Sequence, residues 1–396
     1  MALTGTESYP HPLRKLRLGM VGGGRGALVG HWHWTGARNS NRWDLMAVAL
    51  SSDPEVARES GRDWLINDDR NYTDYEVMAK AESEREDGID AVAICTPNWT
   101  HQHIAEIFMD HGIDIICDKP IAISSEQVSA MKQKQLETGL VFAVSHPYVF
   151  HPMVRQAAEM VRDGQIGQVT QVLVEYAQDW GTGALDPSQN KQLSWRVDPA
   201  KVGRASCTGD IGTHALQLLE YVSNIRVEKL RADFFRCGRS NTMEDTVFMG
   251  LSLEGGVPGS MWLTQAAPGN YCALNLRIFG DKGGLEWKQE FPEHLRFTPL
   301  DQPEQILVRG HGSGINPSVE KMVTLPRGHG ESLSDAWGNL YREIAIAVEA
   351  RREGKTVPND LIVLPDLEIG ARGVKFIETA ADSHEAGGVW KSLESN

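Results

Sequence analysis

Residues 16–27 read LRLGMVGGGRGA, a short apolar run that breaks into four glycines within five positions. An apolar run of that length is a buried strand, and the glycines allow a tight turn whose backbone can approach a bound group closely. Gly22, Gly24 and Ala27 fit the pattern G-x-G-x-x-[G/A], with Gly23, Arg25 and Gly26 in the same turn. Such a turn, placed after a strand and before a helix, seats a pyrophosphate on the helix N-terminus. It commits this end of the chain to βαβ units.

The segments that follow keep that rhythm. "DLMAVAL", "DAVAIC", "DIICD" and "VFAVS" read as strands, while "EVARESGRDWL" and "HQHIAEIFMDHG" have helical spacing. This alternation predicts a doubly wound parallel sheet, a Rossmann domain, over residues 1–145. Beyond it the order changes. "VTQVLVEYAQDW", "EKLRADFFRC", "DTVFMGLSLEGG", "PGSMWLTQA", "CALNLRIFG" and "GGLEWKQE" are strand-like, with turn residues between most of them. They predict an α/β domain over 146–396 with a large, open, mostly antiparallel sheet. A chain of 396 residues is long for one core, which fits two domains.

Three segments carry residues able to do chemistry. "AICTPNWTH" and "CDKP" each close a predicted strand of the parallel sheet, and "CTGDIGTHALQLLEYV" reads as a helix with an apolar face. A regular helix places Asp210 and His214 one turn apart on one face. Removing a hydride from a secondary alcohol leaves a hydroxyl proton, and a histidine titrating near neutrality can take it. A lysine ammonium at the same oxygen stabilises developing alkoxide character.

Together with the glycine turn, these segments resemble the Gfo/Idh/MocA oxidoreductase family across nearly the whole chain. The resemblance implies that Thr96, Pro97, Asn98 and His101 form the family's T-P-N-x-x-H loop against the cofactor. Asp118, Lys119 and Pro120 match its E-K-P with aspartate in place of glutamate, and the lysine reaches both nicotinamide and substrate. Asp210 and His214 match its D-x-G-x-H, which makes Lys119, Asp210 and His214 the expected catalytic group, gathered across a domain cleft. "GGGRGA", "ALSSDPE" and "NKQLSWRVDP" are most similar to the inositol and pyranoside dehydrogenase branch. The implied activity is oxidation of a secondary hydroxyl of a sugar, glycoside or inositol. Alternatives are a sugar-phosphate or nucleotide-sugar oxidoreductase and a catalytically silent regulator of the same fold.

The cofactor expected is NAD or NADP. An acidic residue about 20 positions after the glycine turn usually grips the ribose hydroxyls. Here the second strand ends in Ser51-Ser52 and Asp53 is displaced beyond it, while Arg25 or Arg58 can meet a 2′-phosphate; the lean is towards NAD. Tyr148, just past the domain boundary, and Gln178, Asp179, Trp195 and Arg196 are candidate polyol-binding groups, since hydroxyls call for donors, acceptors and an aromatic platform.

Charge and composition exclude other classes. A net charge of −14 argues against nucleic acid, whose phosphates call for clustered Lys and Arg. "HWHW" (His31–Trp34) and "HQH" (His101–His103) lack a third nearby ligand, so no metal site is expected. Five scattered cysteines, no apolar stretch in the first fifteen residues and no run near ~18 apolar residues point to a cytoplasmic protein off the membrane. An open antiparallel sheet usually has its face covered, so a homodimer or homotetramer is expected.

Overall fold

The computed structural model describes residues 14–183, 195–238, 242–312, 314–357 and 362–394. These divide into two compact units, one holding 14–146 and 334–374, the other 147–333 and 375–394.

The first unit is built on a five-stranded parallel sheet of β1 (Leu16–Gly22), β2 (Trp43–Ala49), β3 (Ala91–Cys95), β4 (Asp114–Cys117) and β5 (Phe142–Val144). Its order is β2-β1-β3-β4-β5, so the chain reverses its direction of travel between β1 and β3. Helices α1 (Val29–Ser40), α2 (Pro54–Asp63), α3 (Tyr75–Glu84), α4 (His101–Asp110) and α5 (Ser125–Thr138) connect the strands. Short side chains start several of them. Asp53 accepts from the Glu55 and Val56 amides ahead of Pro54, and Ser124 accepts from the Gln127 amide. The strands are near-continuous apolar runs because both faces are covered. Val92, Ile94, Ile115 and Phe142 pack with Phe108 of α4 and Met131 of α5.

A long helix, α8 (Leu333–Arg352), lies almost wholly in this first unit. Trp43 Nε1 donates to the Tyr341 carbonyl at 2.9 Å, and Arg351 pairs with the buried Asp114 at 2.8 Å.

The second unit carries a nine-stranded sheet in the order β13-β12-β11-β10-β6-β9-β8-β7-β14, whose outer strands are β13 (Gln305–Val308), β12 (His294–Pro299), β11 (Gly283–Lys288), β7 (Val227–Phe235) and β14 (Lys391–Ser392). Its central strands are β6 (Val169–Ala177), β9 (Val257–Thr264), β8 (Thr246–Leu253) and β10 (Ala273–Gly280). All pairings are antiparallel except β6 with β9. Burial alternates with period two: Val247, Met249, Leu251 and Leu253 are buried, while Phe248 between them is exposed. Helices α6 (Pro152–Arg162) and α7 (Thr213–Ser223) pack on one face of this sheet.

Candidate active site

In the first unit, the cofactor candidates gather at the carboxyl ends of β1, β3 and β4, around the point where strand order reverses. That crevice is where open α/β sheets bind ligands. Gly22, Gly23 and Gly26 have φ of 75°, 82° and 79°, which side-chain-bearing residues rarely adopt. A Cβ on Gly23 would stand 2.6 Å from the Gly30 Cα, and one on Gly24 would stand 2.9 Å from the Leu50 carbonyl oxygen. The turn is therefore a cradle with room for backbone only, as a pyrophosphate site needs. Helix α1 starts at Val29, so Ala27 precedes it. The close packing that the pattern assigns to its third small residue is made here by Gly23 against Gly30.

Arg25 turns away from the cradle to α2, donating to Asp63 at 2.6 and 2.9 Å and pairing with Glu59. Ser51 Oγ accepts from the Asp53 amide at 3.1 Å, and Ser52 is exposed. On the next loop Thr96 Oγ1 accepts from Thr100 Oγ1, and Asn98 is buried. His101 bridges two loops. Its Nδ1 lies 2.9 Å from the Pro120 carbonyl and its Nε2 2.7 Å from the Thr96 carbonyl. Burial lowers its pKa, with the Asp118 carboxylate the leading opposing influence. Asp118 accepts a hydrogen bond from Ser145 Oγ. Next to it, burial and the Lys119 charge push His146 down to about 3.

In the second unit, Asp210 and His214 begin the helix "GDIGTHALQLLEYVS", but not with regular spacing. Residues Thr208–Gly212 form a wider π turn, and α7 proper starts at Thr213. The pair therefore straddles a turn wider than that of a regular helix. A Cβ on Gly212 would come within 2.8 Å of Leu263 Cδ1, so this glycine lets the turn sit hard against β9. Asp210 accepts from Gln265 Nε2 at 2.8 Å, and Arg196 Nε stands 4.0 Å from the same carboxylate oxygen. His214 is buried, with the Tyr148 ring edge-on at 4.8 Å.

The other candidate substrate groups have neighbours within the second unit. The Tyr148 hydroxyl is 2.6 Å from that of Tyr176, so the ring braces His214. Gln178 accepts from Trp180 Nε1 at 2.9 Å, and the Arg196 guanidinium lies 4.3 Å from the Trp195 ring centre. The Asp179 carbonyl accepts from the Thr182 amide at 3.0 Å. A small niche is lined by Trp180, Arg196, Val197, Ser206, Met243, Glu244 and Gln265, two of which, Arg196 and Gln265, face Asp210.

Residues 16–146 match the oxidoreductase family with an NAD-binding Rossmann fold, and residues 154–286 match the GFO/IDH/MocA C-terminal domain. An uncharacterised oxidoreductase of Bacillus subtilis, YfiI, is 32% identical, with 98% of this chain and 99% of that protein aligned. The chain belongs to the Gfo/Idh/MocA oxidoreductase family. An inositol dehydrogenase homologue of Azotobacter vinelandii, solved with NAD+, superimposes on this Gfo/Idh/MocA chain with a TM-score of 0.91. The two are 32% identical over 96% of this chain and 98% of that one. Its complex with NADH and myo-inositol gives 0.88 at 31% identity, over 96% of this chain and 98% of that one.

Sequence reasoning on this Gfo/Idh/MocA chain overlooked Gln265, Glu244, Trp180 and Gly30. Gln265 lies near the end of a strand-like run and Glu244 precedes one, positions that carry no chemical signature by themselves. Glu244 accepts from the Ser206 amide at 2.8 Å and the Thr208 amide at 3.0 Å, capping the turn that carries Asp210. Burial pushes this carboxyl up to about 7. Among the described residues no cluster of three or more His, Cys, Asp or Glu is placed to hold a metal ion. His31 packs on Trp64 and His33 is buried in α1. No helix among the described residues is long and apolar enough to cross a membrane. Residues 190–194 of "NKQLSWRVDP" lie outside the described part.

Proposed function

We propose that the protein is an NAD-dependent dehydrogenase that oxidises a secondary hydroxyl of a sugar, glycoside or inositol. The observation that carries this reading is the Asp210 carboxylate, held by Gln265 at 2.8 Å and faced by the Arg196 guanidinium at 4.0 Å, on the segment that leads into the buried His214. A carboxylate, an amide and Trp180 suit a neutral polyol. The myo-inositol bound by the Azotobacter homologue supports the same class.

A nicotinamide coenzyme, its pyrophosphate held by the glycine turn, would supply the hydride acceptor. The chain's residues do the rest. Asp210 orients a substrate hydroxyl, His214 takes the proton from the reacting oxygen, and Lys119 stabilises negative charge developing there. The Tyr148 ring fixes the imidazole plane. NAD is preferred over NADP, because Arg25 is neutralised by both Glu59 and Asp63 and the surplus carboxylate repels a 2′-phosphate. Asp53 is already engaged as the cap of α2. All five cysteines are unpaired, which supports a reducing, cytoplasmic setting.

The test is a panel of inositols, glycosides and sugar phosphates assayed with both coenzymes. Turnover of neutral polyols with NAD is expected, at least about 10-fold better in kcat/KM than with NADP. Coenzyme binding without turnover on any substrate favours the silent regulator, and turnover confined to phosphorylated sugars favours the second enzyme reading. His214→Ala should lower kcat by about 100-fold or more at neutral pH and leave NAD affinity unchanged. Parent-like turnover would remove His214 as the base.

A further inference from the structure

The proposed mechanism uses none of the four residues of the "HWHW" stretch, and one of them is buried. His33, on α1, is fully buried in the first unit. Its Nδ1 lies 2.7 Å from the Tyr341 hydroxyl, and its ring packs on Trp337 at 4.7 Å. Its Nε2 is buried without a hydrogen-bond partner among the described residues and faces Asp118, with Oδ1 4.0 Å away. A buried polar nitrogen left in this state calls for a reason.

Charge logic selects the tautomer. With the proton on Nδ1, the Nε2 lone pair would face a carboxylate oxygen across a dry gap, an arrangement that repels. With the proton on Nε2, the Tyr341 hydroxyl donates to Nδ1 and the Nε2–H dipole points at the carboxylate. Burial keeps the ring neutral, with a pKa pushed down to about 4. Asp118 is also held by Ser145 Oγ, and its amide donates to the Ile94 carbonyl at 3.0 Å. The next residue in the chain is Lys119.

We propose that His33 is a positioning residue: fixed by Tyr341 as the Nε2–H tautomer, it holds the Asp118 carboxylate and, through it, the backbone that presents Lys119. The separation of 4.0 Å is beyond a hydrogen bond, so the hold is that of a dipole on an anion, and a shift of about 1 Å completes the bond. The proposal rests on the dehydrogenase reading for its kinetic consequence. It does not rest on that reading for its structural content.

The test uses the full chain with 15N-labelled histidine. His33, assigned by its loss in His33→Gln, should show a protonated Nε2 and a pyridine-like Nδ1 between about pH 6 and pH 8. In kinetics, His33→Leu should lower kcat by about 30-fold while KM for the polyol and Kd for NAD stay within about 3-fold. His33→Gln, whose amide can still donate towards Asp118, should recover most of that loss. A purely structural role predicts loss of melting temperature in both variants and no recovery of kcat with glutamine. An Nδ1–H tautomer, or His33→Leu with the parent's kcat, overturns the proposal. A parent protein that oxidises no polyol overturns the dehydrogenase reading instead, and the tautomer still decides this one.

Discussion

The residues that carry the proposed chemistry are legible in the sequence because each sits in a short linear signature. Lys119 has Asp118 and Pro120 beside it, and His214 has Asp210 four positions back. The partners that tune them come from elsewhere in the chain and belong to common residue types: Gln265 for Asp210, Glu244 for the turn, Tyr341 for His33. A pattern search has nothing to hold on to there. Burial, equally invisible in sequence, sets a testable pH response. His151 is fully enclosed against Trp287, and burial pushes its pKa down to about 3. The unfolded chain takes up that proton near pH 6.5, so stability is intact above that value and declines as pH falls towards the folded pKa. At pH 5 this one group removes ~2 kcal/mol. Glu244 works in the opposite direction: its raised pKa of about 7 means that stability is lost as pH rises from the ordinary carboxyl range to 7. In urea titrations His151→Gln should be less stable than the parent at pH 7, and the gap should narrow by ~2 kcal/mol at pH 5. A gap that is the same at both values would mean that His151 is not buried neutral.

Elements are legible where one period governs a whole segment. The βα alternation of the first unit and the two-residue burial rhythm of the large sheet both follow from residue spacing. Two features do not. The π turn at Thr208–Gly212 differs from a regular helix by one residue's width, and Glu244, more than thirty positions away, holds its start. The seating of α1 on the glycine turn depends on Gly30, which stands outside the dinucleotide pattern. A Cβ on Gly30 would lie 2.2 Å from the Gly23 carbonyl oxygen and 2.6 Å from its Cα, and neither is a side chain that can swing aside. Backbone must move, at a cost of about 1–3 kcal/mol. The displaced atoms belong to the cradle itself, so Gly30→Ala should both lower the melting temperature and weaken NAD binding by about 10-fold or more. Calorimetry and coenzyme titration on the same sample check both effects. Loss of stability with unchanged NAD affinity would separate the α1 packing from the coenzyme seat.

For the molecule as a whole, the open question set by the sequence is what covers the broad sheet. Its inward side chains pack beneath α6 and α7. Its outward ones include an aromatic row across β7, β8 and β9: the Phe235 ring is 5.9 Å from Phe248, which stacks on Trp262 at 6.3 Å and 17°. Phe235 is 48% exposed and Phe248 53%, unusual for large apolar side chains gathered on one face. We propose that a second copy of the chain covers this row, giving the homo-oligomer anticipated from the sheet's antiparallel character. With a net charge of −14, two copies repel at long range, so apolar contact must supply the attraction and added salt should strengthen association. A carboxylate placed among the rings would be stripped of water without a partner, a cost of 2 kcal/mol or more, roughly a 30-fold rise in the dissociation constant. Phe248→Glu should therefore sediment as monomer at micromolar concentrations where the parent is a dimer or tetramer, with its thermal unfolding still cooperative. If the parent is itself monomeric there, or the variant assembles equally well, the aromatic row is not the contact between copies.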